Sequence, residues 1–440
     1  MEVSAKSELR RIFVDHGEAY GNLGDEAMLL SALRRLTKYL GPCIFVLPRE
    51  GNRPIPNLEG FIVETTPSPY PTFKAAIKGV SSFLSLIRRW FPGDETGLKL
   101  CYSWVTFLDR IGILKFCYSD YKRFLVELAR CEAFYGVGAA DFNDFNSLGV
   151  AYKCWLYEIA TRKVNLCIVS AQGFGPLQSG VLISLMSKVF KHLDALSFRD
   201  AEFSASFCRD VVPLSCPTQI VGDEAFSLPV ANKERCVFHI QESGLEPGQP
   251  FIVVHWRSTD YTQETQKLFP KVANLYDAVV EKTGIPLLFV PMSYDVHSRI
   301  DEDCYFELRS RMKHSQNLHT LGLIQDTSLI KGVVGASMLT LGLSYHIHVF
   351  GLAQNVPAVI TFSGQYYHFK SHGLIDFYGE PSAAHDIEQS SVMDVLLTVM
   401  FCLAERENVS TSIAQTNAKL LQRNDWSIKL MANMLKEQGL

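Results

Sequence analysis

The feature that most constrains the fold is a glycine-rich turn between the first apolar run of the chain and its first predicted helix. The run Ile12–Val14 has the composition of a buried strand, and residues 25–36 repeat apolar side chains at helical spacing. Between them lie Gly17, Gly21 and Gly24. Glycines at such a turn allow positive φ angles and close approach of a ligand, and the new helix attracts anions at its start. The sequence predicts a βα unit whose turn is either a simple connection or part of a binding site.

The rest of the chain alternates predicted strands and helices in two sets. The first set ends near Asp223, a less regular connector covers residues 229–250, and the second set follows. This alternation indicates parallel sheets with helices on both faces. The predicted fold class is α/β, with two Rossmann-like domains facing a cleft (glycosyltransferase-B-like) and a helical C-terminal tail from Ile387. The predicted domains are residues 1–235 and 236–440.

In the second domain, apolar runs bounded by turn signals give the individual elements. Strands are predicted at Phe251–Trp256, Pro286–Val290, 338–343 and Ala358–Phe362, and helices at Thr262–Thr283, Ser328–Ala336 and Ser344–Gln354. Because ligands of open parallel sheets bind at the carboxyl ends of the strands, polar residues directly after the strands are the candidates for a site.

Composition excludes several classes of protein. A net charge of −4 argues against a general nucleic-acid binder. The eleven cysteines lack the paired spacing of a disulfide framework or a zinc site, so no metal is expected. Residues 1–11 carry no apolar signal segment, and no apolar run has the length of a transmembrane helix. The sequence predicts a cytoplasmic protein and leaves a homo-oligomer open.

The segment from Tyr70 to Arg130 differs in composition from the rest of the first domain. Basic residues, among them Arg88, Arg89 and Lys115, alternate with aromatic and aliphatic ones. Amphipathic basic helices of this kind lie on membrane surfaces, which would place the protein peripherally at the inner face of the membrane. Core helices whose lysines and arginines extend to water have the same composition. Both interpretations of this basic helical insertion remain open.

Several motifs in the first domain match one family in order. They are Gly21-Asn22-Leu23-Gly24-Asp25-Glu26-Ala27, Tyr135-Gly136-Val137-Gly138 with Asp141, Ala171-Gln172-Gly173-Phe174-Gly175-Pro176, Ser197-Phe198-Arg199-Asp200 and Val221-Gly222-Asp223-Glu224. Together they resemble the signature of the polysaccharide pyruvyl transferase family. Val137 interrupts the run of three glycines that this family usually has.

The resemblance continues through the second domain. Val253-Val254-His255-Trp256-Arg257 resembles the strand that delivers an arginine to the cleft, Ser344-Tyr345-His346 with Val356-Pro357 resembles an Arg-x-His…Val-Pro helix, and Tyr367-His368-Phe369-Lys370 matches Tyr-x-x-Lys. The resemblance covers roughly residues 13–379 and excludes the basic insertion. One departure is serious, because Ser344 stands where the family usually has arginine.

The resemblance implies transfer of a pyruvyl group from phosphoenolpyruvate to hydroxyls of a saccharide or lipid-linked saccharide, with release of phosphate and without a cofactor. Such a donor needs cations and helix starts, an acid for its methylene carbon and a base for the attacking hydroxyl. Predicted catalytic residues are His346 as acid and Asp25 as base. Predicted donor contacts are Arg257, Ser344, Tyr345 and Lys370, and predicted acceptor contacts are Asn22, Glu26, Asp141 and Gln172.

Each candidate also has a simpler interpretation. Asp25 is a favourable helix-start carboxylate, Arg257 and Lys370 are ordinary surface cations, and His346 is a core histidine bonded to a backbone carbonyl. His348, on an adjacent helical face, fits that last description better. Two other functions stay open. One is a glycosyltransferase of the same architecture that uses a nucleotide sugar, and the other is a non-catalytic saccharide-binding protein, for which Ser344 is the main argument.

Overall fold

The computed structural model describes residues 9–16, 19–87, 94–257, 265–294, 300–379 and 383–439. Outside these ranges lie four residues named above: Gly17, Arg88, Arg89 and Thr262. The described chain forms two parallel sheets with flanking helices and a helical tail, which confirms the predicted fold class.

The first sheet has seven strands in the order β3-β2-β1-β4-β5-β6-β7. They are β1 (Arg10–Asp15), β2 (Cys43–Arg49), β3 (Ile62–Pro67), β4 (Ala133–Gly136), β5 (Leu166–Gln172), β6 (Ala195–Phe198) and β7 (Thr218–Ile220). The central strands β4, β5 and β6 are buried throughout because helices cover both faces of the sheet. The connections run in opposite directions from β1 and β4, so a crevice opens between their carboxyl ends, where ligands of such folds bind.

The helices of the first domain are α1 (Leu23–Leu40), α2 (Tyr70–Ile87), α3 (Asp94–Arg110), α4 (Ile113–Cys117), α5 (Ser119–Ala129), α6 (Ser147–Lys163), α7 (Gly180–Phe190) and α8 (Phe207–Val211). Helix α1 directly follows the glycine-rich turn, as predicted. It begins two residues earlier than its apolar periodicity indicated, because Asn22 caps it and accepts a hydrogen bond from the backbone of Gly24.

The basic insertion consists of helices α2–α5 between β3 and β4. Its inner face buries Phe73, Tyr102, Tyr121 and Phe124. The ring of Trp155 on α6 lies 5.1 Å from that of Phe73 and 5.3 Å from that of Tyr121. On this inner face, therefore, the helices of the basic insertion pack as core helices. The outer face leaves large apolar side chains exposed, namely Trp104, Phe107, Ile111, Ile113, Phe116 and Val126.

The second sheet has six strands in the order β10-β9-β8-β11-β12-β13. They are β8 (Ile252–His255), β9 (Leu287–Phe289), β10 (Leu318–Thr320), β11 (Leu339–Gly342), β12 (Ala358–Phe362) and β13 (Ala383–Asp386). The helices of this domain are α9 (Lys233–Glu242), α10 (Phe269–Thr283), α11 (Ile300–Arg311), α12 (Thr327–Gly335), α13 (Tyr345–Leu352) and α14 (Gln365–Tyr378).

Three details of the second domain differ from the sequence predictions. The short edge strands β10 and β13 have no long apolar run and were not predicted. The helix predicted from Thr262 begins only at Phe269, after a 3₁₀ turn, because Pro270 fits the first turn of an α-helix and not its interior. The predicted boundary at residue 235 falls inside α9, which packs on α12 of the second domain.

The tail forms α15 (Val392–Ala404), α16 (Arg406–Asn424) and α17 (Trp426–Glu437). Helix α17 returns to the first domain, where Oγ of Ser427 lies 3.1 Å from Oγ of Ser170 and 2.8 Å from Oγ of Ser197. The tail thus ties the two sheets together. In the described ranges, no helix combines the length and the apolarity needed to cross a bilayer.

Candidate active site

A cavity of about 210 Å³ lies where the carboxyl ends of the two sheets face each other. The first domain contributes the β1–α1 turn and the segment after β4, and the second contributes the residue after β8 and the starts of α13 and α14. The lining residues are His16, Asn22, Asp25, Ala139, Ala140, Asp141, Arg257, Ser344, Tyr345, His346, Tyr366, Tyr367 and Lys370. The structure brings all the predicted site residues to this cavity except Glu26 and Gln172.

The start of α1 is joined to the second domain through backbone hydrogen bonds. The N–H of Leu23 donates to the carbonyl of Met292 at 2.9 Å, and the N–H of Tyr294 donates to the carbonyl of Gly21 at 2.9 Å. These bonds flank an antiparallel bridge between Asn22 and Ser293. They hold Asn22 and its neighbours against the second domain, and this part of the cavity wall is therefore formed by both domains.

His346 is the second residue of α13 and is buried in the cavity wall. Its ring packs on Gly24, where a Cβ would overlap Nδ1 of the imidazole. Its Nε2 lies 3.9 Å from Oδ2 of Asp223, and within the described residues no group hydrogen-bonds to it. The glycine of the first-domain turn therefore allows a histidine of the second domain to reach the first turn of α1.

The environment of His346 disfavours its protonated form. Burial lowers its pKa to about 3; the carboxylate of Asp25 opposes the shift, while the positive charges of Lys370 and Arg199 add to it. The start of α13 also disfavours a positive charge, but burial is the main cause of the lowered pKa. His346 is neutral in the free protein at neutral pH.

Arg257 follows β8 and reaches the cavity beside a buried carboxylate. Its Nη1 lies 3.9 Å from Oδ1 of Asp301. The other oxygen of Asp301 lies 3.1 Å from Nε2 of His255 and accepts from the N–H of Met292 at 2.7 Å. Asp301 thus connects the guanidinium to the backbone segment that contacts α1.

Lys370 approaches the cavity from α14. Its ammonium donates to the hydroxyl of Tyr366 at 3.0 Å and stands 5.7 Å from the ring centroid of Tyr345. Burial, and then repulsion from Arg199, lowers its pKa to about 8. Lys370 is therefore a cation at neutral pH that loses its charge under mildly alkaline conditions.

Ser344 occupies the N-cap position of α13, and its side chain makes no capping hydrogen bond. It is buried and lines the cavity. The cavity therefore presents a hydroxyl and the start of a helix at the position where the family motif has arginine.

Two predicted acceptor residues, Glu26 and Gln172, do not line the cavity. Glu26 turns away from Asp25, accepts from the N–H of Gly21 at 3.1 Å and bonds to the hydroxyl of Tyr294. Burial raises its pKa to about 7. Gln172 is buried and donates to the carbonyl of Val137 at 3.0 Å. Both side chains support the turns around the site.

His348 is held inside the second domain, as its simpler interpretation predicts. Its two ring nitrogens lie 2.9 Å from Oγ1 of Thr340 and 2.8 Å from the carbonyl of Gly342. It takes no part in the cavity.

Sequence reasoning missed several residues of the site. Arg199 and Asp223 lie behind Tyr345 and His346, with the guanidinium of Arg199 4.4 Å from the ring centroid of Tyr345. Arg199 and Tyr367 both belong to motifs that match the family, so the sequence did mark them as candidates for the site. His16 carried none beyond its position after β1. Among the described residues, no three His, Cys, Asp or Glu are grouped as metal ligands.

Comparison with known proteins shows the family and the fold of this chain. The family model of polysaccharide pyruvyl transferase matches residues 22–363. The chain is similar to HepE of Anabaena solved with UDP and glucose, at 12% identity and a TM-score of 0.57 over 97% of this chain and 99% of that one. It is also similar to the trehalose-6-phosphate synthase OtsA, at 12% identity and a TM-score of 0.54 over 97% and 99% of the two chains. These likenesses show the glycosyltransferase-B fold. A search of curated proteins gave no match.

Proposed function

We propose, from the premise that this chain belongs to the polysaccharide pyruvyl transferase family, that it transfers a pyruvyl group from phosphoenolpyruvate to hydroxyls of a saccharide, forming a ketal and releasing phosphate. Membership of the family makes the chain an enzyme of polysaccharide modification. The donor and the ketal product are the proposal, and the composition of the cavity supports them.

The observation that carries the proposal is the division of charge across the cavity. Arg257 and Lys370 line it from the second domain, and Asp25 and Asp141 line it from the first. A small polyanion fits the cationic side, next to the helix start at Ser344. Hydroxyl groups of a sugar fit the carboxylate side, because ionised carboxylates accept hydrogen bonds.

The proposed reaction begins with loading of a proton on His346. The negative charges of bound phosphoenolpyruvate raise the pKa of His346 from its low value in the free protein, so that donor binding and protonation are coupled. The imidazolium then gives its proton to the methylene carbon of the donor, and C2 becomes electrophilic.

Asp25 acts on the acceptor in the next steps. It takes the proton of the first sugar hydroxyl as the hydroxyl oxygen bonds to C2. The C2–O bond to phosphate breaks, and a second hydroxyl of the same sugar adds to C2 and passes its proton to the departing phosphate. Asp25 then releases the first hydroxyl proton to water, which balances the proton that His346 took up. The products are a cyclic pyruvate ketal and inorganic phosphate, so all atoms of both substrates are accounted for.

The proposal predicts phosphate release that requires both substrates. Purified protein with phosphoenolpyruvate and hexose-terminated oligosaccharides should release phosphate, and the oligosaccharide should gain the mass of pyruvic acid less water. Omission of the oligosaccharide is the control. Glycosyl transfer from UDP-glucose without reaction of phosphoenolpyruvate would replace the proposal with a glycosyltransferase. Saccharide binding without any turnover would indicate a non-catalytic member.

The outer face of the basic insertion supports a second part of the proposal, that the enzyme binds an anionic membrane surface and meets a lipid-linked acceptor there. Phe116 on α4 is 92% exposed, and Trp104 and Phe107 on α3 are 46% and 50% exposed. The exposed cations Lys115, Lys122 and Arg123 lie on α4 and α5. Apolar side chains mixed with cations are typical of interfacial helices.

Part of this outer face lies near the carboxyl ends of the strands of the first sheet, the same end of the sheet at which the candidate active site lies. The last residues of β3, Thr66 and Pro67, share a surface cavity with Ser119, Lys122 and Arg123 of α5. The corner between α4 and α5 is therefore at the carboxyl edge of the first sheet. A membrane that contacts the α4–α5 connection would therefore lie on the side of the first domain that carries the proposed acceptor residues.

Sedimentation with vesicles tests the membrane contact. The protein should bind vesicles that contain anionic lipid at low salt and leave them as ionic strength rises. The triple variant Lys115→Gln, Lys122→Gln, Arg123→Gln should weaken binding by about 100-fold, since each basic residue near such a surface contributes about 1 kcal/mol. Trp104→Ser with Phe116→Ser should also weaken it.

The matched control replaces two exposed apolar residues of the second domain, Phe238→Ser and Phe306→Ser, which are 56% and 58% exposed. These changes should leave vesicle binding unaltered. Equal binding by all variants would show that the outer face of α3–α5 does not contact lipid.

A further inference from the structure

A second cavity, of about 230 Å³, lies in the first domain and adjoins the candidate active site. The two cavities share His16, Asp25 and Asp141 as lining residues. The second cavity extends from these residues between the ends of β1 and β2 and the starts of α2 and α6. None of the sequence motifs discussed above reaches its far wall.

The far wall of this cavity is aromatic. Tyr70 begins α2 and Tyr152 lies on α6, and their rings meet edge to face with centroids 4.9 Å apart. Both residues line the cavity. Aromatic walls with a few polar groups are typical of small-molecule sites, and an aromatic ring such as that of Tyr70 can pack on the C–H face of a pyranose.

The polar wall carries an excess of negative charge. Three carboxyl side chains, those of Asp15, Asp25 and Asp141, line the cavity together with one lysine, Lys153. Its Nζ lies 2.7 Å from Oδ2 of Asp15 and 3.5 Å from Oδ2 of Asp141. Burial disfavours the ammonium, but the charges of Asp15 and Asp141 more than offset it and hold the pKa of Lys153 well above its ordinary value. The cavity is therefore net negative at neutral pH.

One polar atom of this wall is buried without a partner. Nε2 of His16 is inaccessible to water, and no group in the described ranges hydrogen-bonds to it. His16 lines both cavities and therefore lies at their junction, next to Asp25.

We infer that this cavity binds an uncharged hexopyranosyl residue of the acceptor and rejects acidic sugars such as uronic acids. Carboxylates accept hydrogen bonds from sugar hydroxyls, whereas the carboxylate of a uronic acid would meet a net negative wall. The identification of this sugar as the acceptor rests on the proposed function, because the cavity opens toward the proposed base Asp25. The site itself requires no donor.

Binding of matched glycosides in the absence of phosphoenolpyruvate tests the inference. Saturation-transfer NMR at pH 7 should show methyl glucoside or methyl galactoside bound at least about tenfold more tightly than the matching methyl uronide. The reason is that the repulsion between two carboxylates in contact at a protein surface exceeds the free energy of a tenfold change in affinity. Asp141→Asn should narrow this difference. Tyr70→Ala should weaken the neutral glycoside by about tenfold.

Two matched controls lie on the basic insertion. Asp120→Asn makes the same charge change at an exposed position of α5, and Tyr118→Ala removes a half-buried tyrosine at the start of that helix. Neither should alter glycoside binding. Equal binding of uronides, no effect of Tyr70→Ala and Asp141→Asn, or no bound glycoside at tens of millimolar would each overturn the inference.

The outcomes also separate this inference from the proposed function. Selective binding of neutral glycosides without phosphate release from phosphoenolpyruvate would leave the sugar site in place and remove the pyruvyl transfer. Phosphate release with an acidic acceptor as efficient as a neutral one would keep the transfer and remove the selectivity.

Discussion

Replacing His346 by alanine should lower turnover by about 10²- to 10⁴-fold without unfolding the protein, because that is the usual contribution of general acid catalysis. His346 lies at the start of α13, and its Nε2 has no hydrogen-bond partner among the described residues. Loss of the side chain removes the proposed proton donor and leaves the cations of the cavity in place. Turnover by the unaltered enzyme should fall as pH rises and the imidazolium is lost, and the variant should lack this fall.

Gly24→Ala gives a second, independent route to the same effect. The new Cβ would overlap the imidazole of His346 and displace it. Gly180→Ala is the matched control, since a Cβ at the first residue of α7 has open space around it. Turnover should fall in Gly24→Ala and persist in Gly180→Ala, and the double variant with His346→Ala should be no slower than His346→Ala alone. Full activity in both Gly24→Ala and His346→Ala would exclude His346 as the acid.

The close approach of Gly24 and His346 shows which part of the site was predictable. The two residues belong to different domains, but each lies in the first turn of the helix that follows a strand of a parallel sheet. Sequence patterns find such positions well, because apolar runs mark the strands and glycines mark the turns. The rule that ligands bind at the carboxyl ends of strands then brings Asp25, Arg257 and His346 into one cleft.

The direction of individual side chains was not predictable by the same reasoning. Asp25 and Glu26 are neighbours in sequence, but successive residues of a helix point about 100° apart. Asp25 therefore faces the cavity while Glu26 bonds to Tyr294. Likewise, Gln172 ends a strand at the correct edge, but its amide bonds to the backbone of Val137.

Contacts between distant segments were out of reach for a different reason. The placement of Arg199 under Tyr345 and the bridge between Asn22 and Ser293 depend on how the two domains meet. No local pattern encodes that geometry. The short strands β10 and β13 were missed because three or four residues at a sheet edge carry too little apolar signal.

Arg257→Ala should abolish measurable stabilisation of the protein by phosphoenolpyruvate. A ligand that binds only the folded state raises the melting temperature, and the rise grows with the logarithm of its concentration relative to its dissociation constant. Loss of a charge-assisted hydrogen bond costs about 1.5 to 3 kcal/mol, which weakens binding by about one to two decades. Arg235→Ala is the matched control, because Arg235 is an exposed arginine that pairs with Asp326 and does not line the cavity. This control should retain the full rise.

Ser344→Arg should act in the opposite direction. Arginine holds a carboxylate or phosphate with two parallel hydrogen bonds, whereas serine offers one hydroxyl. Ser344 lines the cavity beside Arg257 and Lys370, so the new guanidinium would meet the same anion. In the free protein it would repel both cations, and bound phosphoenolpyruvate would relieve this repulsion. We therefore expect phosphoenolpyruvate to bind the unaltered protein, and to bind Ser344→Arg more tightly.

The pH dependence of donor binding tests whether phosphoenolpyruvate contacts Lys370 in the cavity or is attracted only by the general positive charge of a surface. Lys370 has a lowered pKa of about 8, so its charge is present at pH 7 and is lost as pH rises through 8. Calorimetric affinity for phosphoenolpyruvate should fall over that interval in the unaltered protein, and the fall should disappear in Lys370→Met. Arg257 and an arginine introduced at 344 keep their charge throughout. If Ser344→Arg neither tightens binding at pH 7 nor sustains it above pH 8, the anion does not occupy the side of the cavity between α13 and α14, and the donor site must be sought elsewhere in the cleft.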